Sequence, residues 1–485
     1  MSHVNAVILA GGSGQRFWPL SRELSPKQLL SMFGQESLIA QAVHRIAPFV
    51  GDDGIMIVTN ERLFDELRNH LTAQPDTRLH ALHYLQEPMA RNTGPAIAFA
   101  AAVLERTDPD AIMVVLPSDH LLQDGELWAD CIAGAVRLAE AEYLVTIGIN
   151  ATRPETGYGY IRAAEELPEF AHGLVKPCRV AEFVEKPNAK RAEEFLASGG
   201  YFWNAGIFVM RAAQVLAEMD AAGGEVAKVA ETARWLAEAR ESDGFDAAVA
   251  RDRFSALTPV SIDVAVMERA KRVAVIPAAL HWSDVGSLLA LDGVAAADES
   301  GNVRVGRGVD IDSHNTTVYT TDRLVATLGL SDTIVVDTPD ATLVLPRDRA
   351  QDVRQVFDAL KALGVDEVVK PKVSLRPWGS WTSLLTGPGF QIKLLEINSG
   401  SKPSLQRHHH RSEHWIVVAG TASVTCDDRI VEVHINESIY IPVGAVHRIE
   451  NCGRVPLKVI EVQVGEYLGE DDIVRIEDDW VRDES

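Results

Sequence analysis

The stretch Ala6–Leu30, AVILAGGSGQRFWPLSRELSPKQLL, decides how the N-terminal half of the chain is read. Its apolar run Ala6-Val7-Ile8-Leu9-Ala10 predicts a buried strand, which opens directly into Gly11-Gly12-Ser13-Gly14-Gln15-Arg16. Glycines after a strand let bare backbone N–H groups approach an anion closely, and helix N-termini favour negative charge. Arg16, and Lys27 in the following Pro26-Lys27, bring two cations to the same place. This combination asks for a polyphosphate. The glycine spacing is neither GxGxxG nor GxxxxGK(S/T), so neither dinucleotide-binding nor P-loop machinery is implied.

Outward from this loop, strand-like apolar runs alternate with helical segments as far as about residue 290. Ile55–Thr59 and Ala111–Leu116 read as strands buried on both faces, with a buried helix over Gly94–Glu105 between them. Ala212–Ala250, rich in Ala and Glu, reads as a helical cap. The alternation predicts a doubly wound, Rossmann-like α/β domain over residues 1–295, with ligands at the carboxyl ends of its strands. From Gly301 to Leu345 short Val, Thr, Asp and Gly runs predict a small stacked β module without a strict hexapeptide period, within a connector over 296–365. Arg347–Leu363 then reads as one amphipathic helix and Lys370-Pro371-Lys372 as a linker. Over 371–485, short alternating strands with Gly, Pro and Asn turns predict an all-β barrel, and the acidic stretch Gly469–Ser485 reads as solvated surface or a terminal helix.

With 485 residues, two or three domains are expected, each able to bury its own core. A net charge of −23 argues against nucleic acid or an anionic membrane as partner, so a phosphate site must be a local basic island. Arg16, Lys27 and Lys186 fit that role. Cys131, Cys178, Cys426 and Cys452 form no CxxC pair, which predicts a reduced, cytoplasmic protein. No apolar run approaches the ~18 residues of a membrane span, and a strand that starts within four residues leaves no room for a signal peptide. A homo-oligomer stays open.

The motif GGSGxRxWPLS…PKQ resembles the nucleotidyltransferases that make nucleotide sugars, and among them the mannose-1-phosphate guanylyltransferases. Arg91-Asn92-Thr93-Gly94-Pro95-Ala96, Leu116-Pro117-Ser118-Asp119-His120, Arg153–Ile161 (RPETGYGYI), Phe183-Val184-Glu185-Lys186-Pro187 and Trp203-Asn204-Ala205-Gly206 follow in the order that family shows. A second set of motifs near the C-terminus is similar to the bifunctional members, which also carry a phosphomannose isomerase domain. The resemblance covers almost the whole chain. For the connector it implies a β-helix-like fold.

Asp119 ends the strand over 111–116, and Asp284 sits in Trp282-Ser283-Asp284-Val285-Gly286. A carboxylate just past a strand end, near a phosphate loop, suits Mg²⁺, a hard cation preferring oxygen ligands; a helix N-cap is the plainer role for Asp119. The resemblance assigns the metal role to both aspartates. It implies in-line attack of mannose 1-phosphate on GTP, giving GDP-mannose and pyrophosphate, a reaction needing positioning and charge stabilisation rather than a protein nucleophile. Gly11, Gly12, Gly14, Arg16 and Lys27 would then hold GTP. Lys186 suits the phosphate of the sugar phosphate, Glu185 and Asn204 its hydroxyls, and Gly159 a close backbone approach; a solvated Glu-Lys pair is the plainer reading of Glu185-Lys186. Guanine presents N1–H and an amino group side by side, so one carboxylate can accept both. Glu87 is the candidate, with Asn92 nearby.

Gly400–Trp415 (GSKPSLQRHHHRSEHW), with Gly420 beyond, and Pro442–Asn451 (PVGAVHRIEN) resemble the two cupin motifs. Gln406 stands where cupins usually have their first His, as in phosphomannose isomerases, and Asn436 replaces the usual leading Gly of the second motif. Gln406, His408, Glu413 and His447 form a ligand set suited to Zn²⁺, Co²⁺ or Mn²⁺. Strand alternation puts Gln406 and His408 on one face with His410 and His414, and turns His409 outward. Glu413 is also a catalytic candidate: with Lys393 and His410 it is a possible base for moving a proton between C1 and C2 of a ketose phosphate. Arg411 is a candidate for its phosphate. The resemblance thus implies a bifunctional enzyme that makes GDP-mannose for glycan or exopolysaccharide synthesis and interconverts fructose 6-phosphate and mannose 6-phosphate. The alternative is a guanylyltransferase whose barrel is a metal-binding regulatory or structural module.

Overall fold

The computed structural model describes residues 4–478 except Ser13, Asp52, Asp124, Asp243 and Gly244. Its N-terminal part is built on strands β1 (Val4–Leu9), β2 (Ile55–Asn60), β3 (His83–Glu87), β4 (Ile112–Pro117), β5 (Leu121–Leu122), β6 (Leu144–Asn150), β7 (Tyr160–Glu166), β8 (Cys178–Val184), β9 (Tyr201–Arg211), β10 (Val273–Ala278) and β11 (Trp282–Ser283). Helices α1 (Leu38–Ile46), α2 (Glu61–Thr72), α3 (Thr93–Thr107), α4 (Gly125–Glu140), α5 (Ala189–Ser198), α6 (Ala212–Ala222), α7 (Gly224–Arg240) and α8 (Ala247–Ser255) cover them. The main sheet has the order β3-β2-β1-β4-β9-β6-β10-β8-β7. The pairs β2–β3, β1–β2, β1–β4 and β6–β10 are parallel, while β9 runs antiparallel between β4 and β6.

Both sheet faces are buried, which is why β1 and β4 read as continuous apolar runs. Ala6 and Ile8 pack with α1 and α4 on one side, and Val7 with α3, α6 and α7 on the other. The expected helical cap is three helices, α6 to α8, and the buried helix is α3. Gly94, in its first turn, sits so close to Val260 that a Cβ would lie 2.6 Å from that residue's carbonyl oxygen.

Strands Val303–Val305, Thr317–Thr320 and Thr333–Asp337 stack in parallel, and Thr342–Pro346 closes them antiparallel. Gly308–Ile311 and Val325–Leu328 form a second parallel pair. Val303 pairs with Thr317 and Thr317 with Ile334, so the turns of this β-helix-like module differ in length and leave no fixed period in the sequence. The single helix read over 347–363 is corrected. Arg347, tied to Asp292 and Thr317, opens a 3-10 segment, and the α-helix spans Val353–Ala362. One apolar cluster joins Phe17, Trp18, Met32 and Leu288 to Ile334, Val336, Leu343 and Phe357, and so spans the boundary expected at 295/296.

The C-terminal part is two antiparallel sheets, of six and five strands, packed around Trp378, Ile397, Trp415, Val424 and Val459. The acidic stretch differs from its reading: Ile473–Glu477 is a strand paired with Leu405–His408, and residues 479–485 lie outside the described residues. Asn436 takes a left-handed φ of 67°, the turn conformation its position calls for.

Candidate active sites

The loop after β1 is shaped by Lys27. Gly14 has a φ of +60°, and a Cβ there would lie 2.6 Å from Cβ and 2.8 Å from the backbone N of Lys27. Gln28 Nε2 donates to the carbonyls of Ala10 (3.0 Å) and Gly12 (3.1 Å), and Asn60 Nδ2 to that of Gly11 (3.3 Å). The Lys27 ammonium is 2.7 Å from Asp119 Oδ2 and donates to the carbonyls of Asp284 (2.8 Å) and Val285 (2.9 Å). An ammonium has three donors, so these partners saturate it. β5 pairs with β11, and this brings Asp119, past the end of β4, together with Asp284. Val285 is buried at a φ of 48°, a strained conformation for a β-branched residue, and its carbonyl is one of the three groups that hold Lys27.

A cavity of about 480 Å³ opens at these strand ends, lined by Gly11, Gly12, Glu87, Asn92, Asp119, Gly159, Glu185, Lys186, Asn204 and Asp284. Gly14 and Lys27 lie behind its wall. Arg16 is exposed and donates to Gln351 Oε1 at 3.0 Å, away from the lining and toward the connector. Burial works against the Asp119 carboxylate, yet Lys27 and His120 hold its pKa below the usual value. Burial also drives His120 down to about 4, so it is a neutral imidazole that accepts from Trp282 Nε1 at 3.2 Å. Tyr158 donates to Asp284 Oδ1 at 2.7 Å. Two carboxylates presenting oxygen to one solvent-connected cavity fit a hard dication.

Glu87 ends β3, is 3% exposed, and its Oε1 has no hydrogen-bond partner. Burial pushes its pKa up to about 8. Asn92 caps α3 from a left-handed φ of 72°, with its Oδ1 accepting from Thr93 N at 2.8 Å. At the far end of the cavity Lys186, at a φ of 45°, pairs with Glu185 at 2.8 Å. A Cβ on Gly159 would meet Glu185 Oε2 at 2.7 Å. Asn204 is engaged within the protein: it accepts from Thr146 Oγ1 (3.0 Å) and Gly206 N (3.1 Å), and donates to Asp263 Oδ1 (2.8 Å). Sequence reading missed Asp263, whose pKa burial and then Glu185 raise to about 6, and also Tyr158, His120 and Gln28. Asp263 carried one signal, a lone carboxylate inside the apolar run Ile262–Met267.

In the barrel, His408, Glu413 and His447 place their ligand atoms within 4.8 Å of one another, all three buried. His408 Nε2 lies 3.0 Å from Glu413 Oε1, yet neither ring nitrogen of His408 makes a hydrogen bond. His447 Nδ1 faces the Ala445 carbonyl at 2.9 Å, so Nε2 presents its lone pair, also without a partner. Orphaned nitrogens converging on a carboxylate are what a metal would satisfy, so the cluster could hold one. Gln406 lines the adjoining pocket with its Oε1 accepting from Ser404 Oγ at 3.1 Å. Burial opposes charge on Glu413, but His408, His447 and Arg411 keep its pKa low. Glu461, sharing Trp415 and Gln463 with Glu413, is pushed up by burial and by that neighbouring charge.

The placement of His410 and His414 is corrected. The strand ends at His408, a turn over 409–410 resets the alternation, and in Arg411–Ala419 the odd residues Arg411, Glu413 and Trp415 face inward. His414 is exposed, and His410 turns out to Asp472 at 2.8 Å. Lys393 and Arg411 do line the pocket.

Residues 5–301 match the family model described as nucleotidyl transferase. The chain belongs to that family. Residues 306–360 match a mannoseP isomerase/GMP-like beta-helix domain and 364–478 a mannose-6-phosphate isomerase C-terminal domain, so it is a member of the bifunctional branch. It is 43% identical over 478 residues to the alginate biosynthesis protein AlgA of Pseudomonas aeruginosa, covering 98% of this chain and 97% of that one. The xanthan biosynthesis protein XanB of Xanthomonas campestris is 42% identical over 484 residues, 99% of this chain and 100% of that one. A mannose-1-phosphate guanylyltransferase of Klebsiella pneumoniae is 39% identical, covering 98% and 99%. A crystal structure titled mannose-1-phosphate geranyltransferase, from Thermus thermophilus, matches with a TM-score of 0.64 at 32% identity, over 74% of this chain and 99% of that one.

Proposed function

We propose that the chain transfers GMP from GTP to mannose 1-phosphate, releasing pyrophosphate and GDP-mannose, and also interconverts fructose 6-phosphate and mannose 6-phosphate. The observation that carries the reading is that one chain holds two separate sites of the required chemistry. A cavity with Asp119, Asp284 and the unpartnered Glu87 carboxylate serves the first reaction, and the orphaned His408–Glu413–His447 cluster the second.

In the transferase cavity Asp119 and Asp284 would hold Mg²⁺, which neutralises phosphate charge when bound. Gly11 and Gly12 offer backbone to the triphosphate, with Lys27 fixing the loop against both metal-binding segments. Arg16 would have to leave Gln351 to reach a phosphate. Glu87 Oε1 accepts from guanine, Lys186 draws in the sugar phosphate, and Glu185 and Asp263 accept from its hydroxyls.

In the barrel Gln406, His408, Glu413 and His447 would hold Zn²⁺, Co²⁺ or Mn²⁺, whose chemistry is to polarise the sugar carbonyl and acidify the adjacent C–H. Lys393 and Glu461 are the pocket groups able to carry a proton between C1 and C2. No helix among the described residues is long and apolar enough to cross a membrane. Four free cysteines support a reducing, cytoplasmic setting.

The test is to assay the two reactions separately in Asp119→Asn and His408→Ala. The first should lose GDP-mannose formation and keep isomerisation, and the second the reverse. Loss of both activities in either variant would sink the assignment of two independent sites.

A further inference from the structure

The barrel pocket is small, about 80 Å³, yet Arg376, Lys393, Arg411, Arg448 and Arg475 all line it. Such a concentration is unexpected in a chain of net charge −23. A metal cluster does not call for it, since cations repel a dication unless an anion comes between them. The cations are not equivalent. Arg411, 2% exposed, is committed to Glu413 Oε1 (Nε, 3.4 Å) and to the Gly469 carbonyl (Nη1, 3.0 Å), so it steadies a ligand carboxylate.

Arg376 is held differently. Its Nη1 donates to its own neighbour Leu375 (carbonyl, 2.8 Å) and pairs at 3.4 Å with Glu66 of α2, with side chains 17% and 29% exposed. Its Nε and Nη2 make no hydrogen bond among the described residues. That leaves the Nε/Nη2 edge of a planar fork uncommitted on a residue that lines the pocket, and such an edge can grip a phosphate with two parallel bonds. The pair with Glu66 is long and partly solvated, so it contributes little and yields readily to a dianion.

We propose that Arg376 grips the phosphate of the hexose phosphate in the barrel pocket, and that Glu66 of the transferase domain holds it ready. The inference rests on the isomerase reading and names the residue that selects a phosphorylated sugar. Arg376 lies on Val373–Arg376, the strand by which the barrel packs against α2. The isomerase pocket is therefore completed at the seam between the domains. Asn60, just before α2, also holds the Gly11 carbonyl, so one helix is anchored at both sites.

The experiment is steady-state isomerisation of mannose 6-phosphate by full-length, metal-loaded Arg376→Ala and Arg376→Lys. Losing a charge-assisted pair of bonds should raise KM by about 30-fold with kcat within about threefold, and Arg376→Lys should fall in between. The thermal midpoint reports on folding. An unchanged KM, or a loss confined to kcat, overturns the proposal. If the wild type shows no isomerisation with any metal, the isomerase reading has failed, and binding of inorganic phosphate followed by ³¹P NMR still decides the subsite. At least tenfold weaker binding to Arg376→Ala sustains it, whereas equal binding by the two proteins overturns it.

Discussion

The transferase cavity and the barrel pocket solve opposite electrostatic problems. In the cavity the cations are already paired: Lys27 spans Asp119 and two carbonyls, and Lys186 holds Glu185. In the barrel the ring nitrogens of His408 and Nε2 of His447 are left without hydrogen bonds around a buried Glu413. Buried polar groups without partners destabilise a fold, so such a cluster is maintained where a resident ion satisfies it. The first site has its metal-binding and sugar-phosphate ends paired before ligands arrive and leaves Glu87 Oε1 open. The second has buried ring nitrogens that a metal would satisfy.

The contrast is broken most severely by removing one anchor at a time. Asp119→Asn should lower GDP-mannose formation by about 10³-fold or more, and His408→Ala should do the same to isomerisation, each leaving the other rate intact in separate assays. Chelation sharpens the point. Stripped protein should lose isomerisation until Zn²⁺, Co²⁺ or Mn²⁺ returns, and its barrel should unfold at a lower temperature, as followed by calorimetry. A barrel that melts identically with and without metal would show that nothing resident fills the cluster.

Gly14→Ala places a methyl group on Lys27 at a left-handed backbone position, and should cut transferase kcat by about 100-fold without touching isomerisation.

Glu87 separates function from stability. Its folded pKa, about 8, lies above the unfolded value, so the unfolded chain ionises first and the folded state loses stability as pH rises from the unfolded pKa to about 8. Glu87→Gln removes that loss. It should raise the melting temperature at pH 8 while raising KM for GTP by roughly 10- to 100-fold and relaxing discrimination against ATP. In the wild type, KM for GTP should rise as pH falls below about 8, because the protonated acid can no longer accept two guanine donors.

The smallest effect tests the strand reset. His414→Ala, on the outer face, should keep isomerase kcat/KM within about twofold, and a larger loss would mean that the outer face of this strand serves the pocket.

Contiguous motifs were legible in the chain. The glycine loop, Asp119 and the Gln406/His408 alternation could be placed because each depends on a strand end or a two-residue period, whereas Asp284 was picked out by the family resemblance. Asp263 and Glu461 could not, because a carboxylate inside an apolar run looks the same whether it faces solvent or a cavity. His410 and His414 were placed on the wrong face because a turn at 409–410 resets a parity that a continuous strand would have kept.

What the sequence by itself determined is the α/β half, the β connector, the barrel and most of the candidate residues that line the two pockets. These follow from local periodicity, from glycines where backbone must come close, and from motif order. Only the tertiary structure decided which charges are free. Lys27 is spent on Asp119 and the carbonyls of Asp284 and Val285, Arg16 on Gln351, and Arg411 on Glu413, while Arg376 keeps an open edge beside a helix of the other domain. The physical reason is that a side chain's charge is fixed by its type, but its availability depends on partners hundreds of residues away.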